Sequence, residues 1–105
     1  MRKTFRERVY AIASGIPRGS VVTYKQLATW VGNARASRAI GMCMKYNPHR
    51  HSVPCHRVVS STGALTGYSF GKGVITKKKL LQKEGVIFSG ERVSLGASQW
   101  HKKRV

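Results

Sequence analysis

Acidic residues are almost absent from this chain of 105 residues. Asp and Glu total 3, all of them Glu, against 20 Lys and Arg, so the formal net charge is +17. Such an excess favours a polyanionic partner, with nucleic acid first, because each phosphate neutralised by a cation releases a counterion. A generally basic protein, or one associated with the ribosome, would share this composition, and charge alone does not choose among these interpretations.

Long apolar runs and cysteines are also scarce. No stretch approaches the roughly 20 apolar residues that a membrane span needs, and the N-terminus lacks the apolar region of a signal peptide. The two cysteines, Cys43 and Cys55, are too few for a disulfide scaffold. We therefore expect a cytoplasmic protein, in a prokaryotic cytoplasm or associated with the nucleoid, that has no membrane partner.

The apolar content nevertheless suffices for a hydrophobic core. Hydrophobic residues make up 41% of the chain and aromatic residues 9%, which excludes a disordered basic segment. The length accommodates one domain. We expect a monomer with a single domain over residues 1–105, in which residues 96–105 form a flexible basic tail.

Two capping boxes predict where the first helices begin. In each of them a threonine hydroxyl can accept from the backbone N–H three residues later, whose side chain reaches back: Thr4 with Glu7, and Thr23 with Gln26. The apolar residues that follow each box have helical spacing. The first helix is predicted to end before Pro17, and the second at a glycine turn.

The residues after that turn predict a third helix, in which Asn33 is the N-cap and Tyr46 is near the end. Arg35, Arg38 and Lys45 are predicted to lie on the face opposite its apolar residues. Two short helices joined by a glycine turn are typical of a helix-turn-helix, whose second helix contacts DNA. An ordinary solvated basic face is the alternative.

The second half of the chain predicts smaller elements. The β-branched pair Val58-Val59 favours a short strand, residues 75–83 a helix, and residues 86–93 a hairpin. Lys77, Lys78 and Lys79 crowd the first turn of that helix, where the helix dipole disfavours cations and a nearby phosphate would relieve the conflict. The predicted fold is α+β and mainly helical, with a helix-turn-helix and a few short strands.

Cys55 followed by His56 is the strongest candidate for chemistry. A thiol attacks as the thiolate, and an imidazole can take its proton directly or through a water while nearby cations stabilise the anion. Among the three carboxylates, Glu84 ends an apolar helix that can pack against the strand, so it could orient the imidazole. Alternatively, Cys55 is a small buried hydrophobe and His56 a surface residue.

A zinc site could use the same side chains. The possible ligands are Cys43, His49, His51, Cys55 and His56. Their spacing lacks the paired ligands of ordinary structural zinc sites, and Cys43 is on an apolar helix face. We expect no metal and no cofactor.

From about Phe5 to Leu95 the chain resembles the C-terminal, DNA-binding and active-site domain of the O6-alkylguanine-DNA alkyltransferases. The order of several motifs makes the resemblance specific. They are Val22-Thr23-Tyr24 with Gln26-Leu27-Ala28, Arg38-Ala39-Ile40-Gly41, Asn47-Pro48, Pro54-Cys55-His56-Arg57-Val58, Gly67-Tyr68, and Leu80-Leu81 before Glu84-Gly85.

The resemblance implies a catalytic set. Cys55 would accept the alkyl group from O6 of a damaged guanine in an irreversible, single-turnover transfer. His56 would act as a base through a water, Glu84 would complete the network, and Asn47 would hold the active-site turn.

The resemblance also implies roles on double-stranded DNA that contains O6-alkylguanine. The helix-turn-helix would enter the minor groove. Tyr24 would donate a proton to guanine N3 and crowd a phosphate, and Arg38 would fill the place that the flipped nucleotide leaves. Ser69, beside Tyr68, would hydrogen-bond the O6 region, and Lys77 would lie near the pocket.

Short chains of this kind also resemble the alkyltransferase-like proteins, which bind alkylated DNA without repairing it. Those proteins carry Trp where this chain has Cys55. A lesion-binding protein that recruits other repair factors is therefore the second hypothesis, and a DNA-repair alkyltransferase the first.

Overall fold

The described fold is α+β and mainly helical, as predicted. In the computed structural model, which describes residues 3–49, 52–66, 68 and 71–101, no helix is long and apolar enough to cross a membrane. The helices are α1 (Phe5–Ala13), α2 (Tyr24–Trp30), α3 (Ser37–Lys45), α4 (Val74–Lys83) and α5 (Leu95–Ser98), with a 3₁₀ turn at Cys55–Arg57. The strands are β1 (Val22–Thr23), β2 (Val58–Val59), β3 (Phe88–Ser89) and β4 (Arg92–Val93).

Both predicted capping boxes are present. The Thr4 hydroxyl accepts from the Glu7 N–H at 3.1 Å, and the Glu7 carboxylate accepts from the Thr4 N–H at 3.0 Å. At α2 the Thr23 hydroxyl accepts from the Gln26 N–H at 3.0 Å, and the Gln26 side chain accepts from the Thr23 N–H at 2.8 Å. Local hydrogen bonds thus set the start of each helix.

The predicted N-cap of the third helix is wrong. Helix α3 begins at Ser37 after Ala36, and no side chain caps it. The Asn33 side chain instead accepts from the Arg35 N–H at 3.2 Å, and the Asn33 carbonyl accepts from the Ala36 N–H. Asn33 therefore closes a turn before the helix, and Arg35 lies in that turn. Helices α2 and α3 pack together as the predicted helix-turn-helix.

A parallel strand pair, which the sequence did not predict, joins the helix-turn-helix to the second half of the chain. Val22 pairs with Val58 in β1–β2. Neighbouring residues of a strand point to opposite sides. Accordingly, Val22 and Val58 are part of one buried apolar cluster with α1, α2 and α3, whereas Val21 and Val59 are part of a second cluster with Leu81 of α4. Strands β3 and β4 form the predicted hairpin.

The predicted flexible tail over residues 96–105 is wrong for residues 96–101. Helix α5 covers part of this segment, Gln99 forms a parallel bridge with Val21, and the Trp100 N–H donates to the Val21 carbonyl at 2.8 Å. The Trp100 ring also packs edge-on against Trp30, with centroids 5.8 Å apart. The prediction failed because these partners are about eighty residues away in the sequence. Residues 102–105 lie outside the described residues.

The capping box of α2 gives a testable prediction. In Thr23→Ala the Gln26 N–H loses its acceptor, so we expect the free energy of unfolding to fall by ~1 kcal/mol, measured by urea denaturation. Thr29→Ala is the matched control, because the exposed Thr29 hydroxyl donates only to the Lys25 carbonyl of its own helix. That control should change stability by less than about 0.5 kcal/mol. Equal losses in the two variants would contradict a stabilising cap.

Candidate active site

Cys55 begins the 3₁₀ turn that leads into β2. The turn is closed by the Val58 N–H, which donates to the Cys55 carbonyl, and the whole Cys55 residue is only 4% exposed. Burial raises the pKa of the Cys55 thiol, whereas a hydrogen bond from Asn47 and the charge of Lys77 lower it. Because burial is the largest of these effects, the free protein holds Cys55 as a thiol, and a base must take its proton before it can attack.

The Asn47 side chain hydrogen-bonds to the backbone of the loop that precedes this turn. Its side chain is buried, its Nδ2 donates to the Val53 carbonyl at 2.9 Å, and its Oδ1 accepts from the His49 N–H at 2.8 Å. One side chain thereby ties both ends of the loop between α3 and Cys55. This placement is consistent with the role that the resemblance implies for Asn47.

His56 is held against Glu84, the residue that ends α4. His56 Nε2 lies 3.0 Å from Glu84 Oε2. A carboxylate only accepts hydrogen bonds, so Nε2 carries the proton and Nδ1 keeps its lone pair. Burial lowers the pKa of His56, although Glu84 opposes that shift. The imidazole is therefore neutral near pH 7 and can accept a proton.

Arg57 is a site residue that the sequence analysis did not single out. Its Nε donates to Glu84 Oε1 at 2.8 Å, and its Nη2 donates to Glu84 Oε2 at 2.7 Å. Burial alone would raise the pKa of Glu84, but the hydrogen bonds from Arg57 and His56 hold it below its ordinary value. The sequence feature that could have identified Arg57 was its position next to His56. The chain also has few carboxylates with which an arginine can pair.

An open cavity of about 420 Å³ lies beside this network. Pro54, His56, Tyr68 and Glu84 are among the residues that line it. The structure therefore brings Tyr68 to the side of the predicted catalytic residues. Ser69, which the resemblance places at the same pocket, lies outside the described residues.

Tyr24 and Lys77 meet at one backbone carbonyl. The Tyr24 hydroxyl donates to the Thr66 carbonyl at 3.0 Å, and Lys77 Nζ donates to the same carbonyl at 2.9 Å and to the Val58 carbonyl at 2.6 Å. The two side chains thus fix the chain where it enters the loop before Tyr68. Tyr24 lies at the start of the helix-turn-helix and Lys77 lies on α4, so this contact connects the two units.

Lys77 does not lie where a phosphate could offset the unfavourable interaction of its charge with the dipole of α4. It is 1% exposed, and burial lowers its pKa to about 8. Carbonyl oxygens of the protein itself satisfy its ammonium group, while Lys78 pairs with Glu91 at 3.1 Å. The expectation of a phosphate beside these lysines is therefore wrong for Lys77. Its charge acts on Cys55, and its predicted place near the base pocket stays a prediction.

The exposed side of α3 carries the predicted cations. Arg38 and Lys45 are exposed, as are Met42 and Tyr46, and the apolar residues Ile40 and Cys43 face the core. The prediction of two opposite faces is confirmed for the residues of the helix and is wrong for Arg35. Arg35 is also exposed, in the turn before the helix.

The possible zinc ligands do not assemble in the part of the chain that the structure describes. Within that part no group of three or more His, Cys, Asp or Glu side chains could hold a metal ion. His51, one of the possible ligands, lies outside the described residues.

Comparison with known families identifies the domain. The family model for the DNA-binding domain of 6-O-methylguanine DNA methyltransferase matches residues 4–86. The chain is 42% identical over 81 residues to a methylated-DNA–protein-cysteine methyltransferase of Methanosarcina acetivorans, which covers 77% of this chain and 51% of that protein. It is 42% identical over 80 residues to the human protein of the same name, covering 76% and 38%. The chain thus spans about half the length, or less, of these curated relatives.

Two solved structures that contain DNA have the same fold. S. pombe Atl1, in complex with damaged DNA containing O6-carboxymethylguanine, aligns with a TM-score of 0.82 at 33% identity, covering 97% of this chain and 100% of that one. Mycobacterium tuberculosis OGT in complex with DNA aligns with a TM-score of 0.72 at 38% identity, covering 80% and 50%.

The burial of Lys77 predicts a specific pH dependence of stability. The unfolded chain keeps the Lys77 proton up to about pH 10.5, whereas the folded chain releases it near pH 8. Between these values the unfolded state binds more protons than the folded state. The contribution of Lys77 to the free energy of unfolding therefore increases as the pH rises. We expect the stability of the wild type relative to Lys77→Met to grow from pH 8 to pH 10 in urea titrations.

Lys79→Met is the matched control for that experiment. Lys79 is on the same helix but is exposed, so the stability of the wild type relative to this variant should show no comparable rise. A flat difference for Lys77→Met over the same pH range would contradict a buried ammonium.

Proposed function

The chain belongs to the 6-O-methylguanine DNA methyltransferase family through its DNA-binding domain, and on that premise we propose that it repairs DNA by alkyl transfer. The acceptor is Cys55, and the donor is O6-alkylguanine in double-stranded DNA. The observation that carries the proposal is a buried thiol directly followed by a neutral imidazole that a carboxylate holds in place.

The transfer needs two proton transfers and one displacement. The Cys55 thiol gives its proton, through a water, to Nδ1 of His56, and the imidazolium that results is stabilised by Glu84. The thiolate attacks the alkyl carbon, so an S–C bond forms while the C–O6 bond breaks and its electron pair goes to guanine. A proton from Tyr24 to guanine N3 neutralises the leaving group. No cofactor takes part, and the alkylated cysteine ends the reaction.

The target base must leave the duplex to reach Cys55. Flipping a base costs a few kcal/mol, which a side chain inserted in the stack and phosphate contacts can offset. The exposed face of α3 offers Arg38 for insertion and Lys45 for phosphates, and the turn before the helix adds Arg35. Tyr68 lines the cavity beside His56 and Glu84, and we expect it to contact the flipped base; Ser69 remains a prediction from the resemblance.

A lesion-binding protein without transfer activity is the alternative, and one observation favours it. The whole chain of Atl1, in its complex with damaged DNA, aligns with nearly all of this chain. Against it stands the residue at position 55, because the alkyltransferase-like proteins carry Trp there and this chain carries Cys.

The intact mass of the protein distinguishes the two functions. After incubation with duplex DNA that contains O6-methylguanine, we expect a gain of one methyl group on Cys55, located by peptide mass spectrometry. Cys55→Ala should abolish the gain but bind the lesion within about threefold of the wild type, because phosphate contacts dominate affinity. Cys43→Ala is the matched control and should be methylated normally. An unmethylated wild type that prefers the lesion would instead support the alternative.

Arg38 gives a second test of the proposal. In Arg38→Ala nothing fills the place of the flipped base, so a fluorescent base analogue at the lesion should show weaker unstacking, and the transfer rate should fall roughly tenfold or more. Arg92→Ala removes the same charge from an exposed position of β4 and is the control for net electrostatics. If both variants lose equal signal, Arg38 has no role in insertion.

A further inference from the structure

Each of the three guanidinium nitrogens of Arg57 donates a hydrogen bond to one of two partners. Its Nε and Nη2 form a fork on the Glu84 carboxylate at 2.8 and 2.7 Å, and its Nη1 donates to the Ile16 carbonyl at 2.8 Å. The Arg57 and Glu84 side chains are 16% and 9% exposed. Forked pairs of this kind fix the plane of the carboxylate as well as its position.

The fork involves the same carboxylate that holds His56. Glu84 Oε2 lies 2.7 Å from Arg57 Nη2 and 3.0 Å from His56 Nε2. Arg57 therefore determines where this oxygen stands relative to the imidazole. The anchor at Ile16 follows α1, and Glu84 ends α4, so one guanidinium connects the 3₁₀ turn to both helices.

The charge of Arg57 matters as much as its geometry. A lone carboxylate at hydrogen-bond distance stabilises an imidazolium and so favours a protonated histidine. The charged groups that act on His56 are Glu84, Arg57 and Lys77, which are one anion and two cations. With the anion already paired to Arg57, the imidazole gains less from being protonated.

We propose that Arg57 is a positioning residue that orients Glu84 and offsets its charge, so that His56 stays neutral and ready to take the Cys55 proton. This inference deepens the proposed alkyl transfer and rests on it. Without Arg57 the carboxylate would still accept from His56, and its uncompensated charge would favour the imidazolium against the burial that disfavours it. A base that is already protonated cannot accept the thiol proton.

The test combines NMR titration of the His56 ring with the pH profile of methyl transfer, both on the full chain. In Arg57→Met we expect His56 to titrate at higher pH than in the wild type, and the acid limb of the transfer rate to move upward with it. Arg57→Lys keeps the charge but not the fork. In Arg57→Lys the titration of His56 should match that of the wild type. The rate of methyl transfer should fall at every pH, by roughly ten- to a hundred-fold. Arg92→Met, a charge control, should leave both unchanged.

The outcomes separate the two roles and the two proposals. Unchanged titration of His56 in Arg57→Met would overturn the charge offset, and full transfer by Arg57→Lys would overturn the positioning role. If Arg57→Met does not fold, Arg57→Lys still decides the positioning role. A wild type that never gains a methyl group contradicts the proposed function, whereas the NMR titration tests Arg57 without any transfer.

Discussion

The candidate site depends on one carboxylate, that of Glu84, in a chain that has few. Each of the three glutamates has its own task. Glu7 caps α1, the exposed Glu91 pairs with the partly buried Lys78, and Glu84 is held by Arg57 and His56. A carboxylate this buried is stable only where its oxygens are well paired, because breaking a buried ion pair leaves an uncompensated charge. The two hydrogen bonds from Arg57 meet that condition, and they fix the position of the Glu84 oxygen that pairs with His56.

Cations divide into two groups in this protein. Arg57 and Lys77 are largely buried, and protein oxygens satisfy their donors. Arg35, Arg38 and Lys45 stay exposed on the helix-turn-helix. The same composition thus supplies the internal charges of a site and an outer surface suited to phosphates.

The Cys55 thiol must lose its proton before it can attack, and the other site residues act on that step. Burial disfavours the Cys55 thiolate, while Asn47 and Lys77 favour it without outweighing burial. In the proposed reaction a neutral His56 supplies the missing acceptor for the proton. A nucleophile that stays protonated until a substrate arrives suits a protein whose proposed reaction consumes its own cysteine.

Local patterns in the sequence determined the starts of α1 and α2, the hairpin, the opposite faces of α3 and the candidate pair Cys55-His56. Their hydrogen bonds and apolar spacing span only three or four residues, so neighbouring residues in the sequence are enough to predict these features. Only the tertiary structure decided that Arg57 pairs with Glu84, 27 residues away, that Lys77 is buried, and that Gln99 and Trp100 pack against Val21. Those partners are chosen by which surfaces the core brings together, and no local spacing encodes that choice.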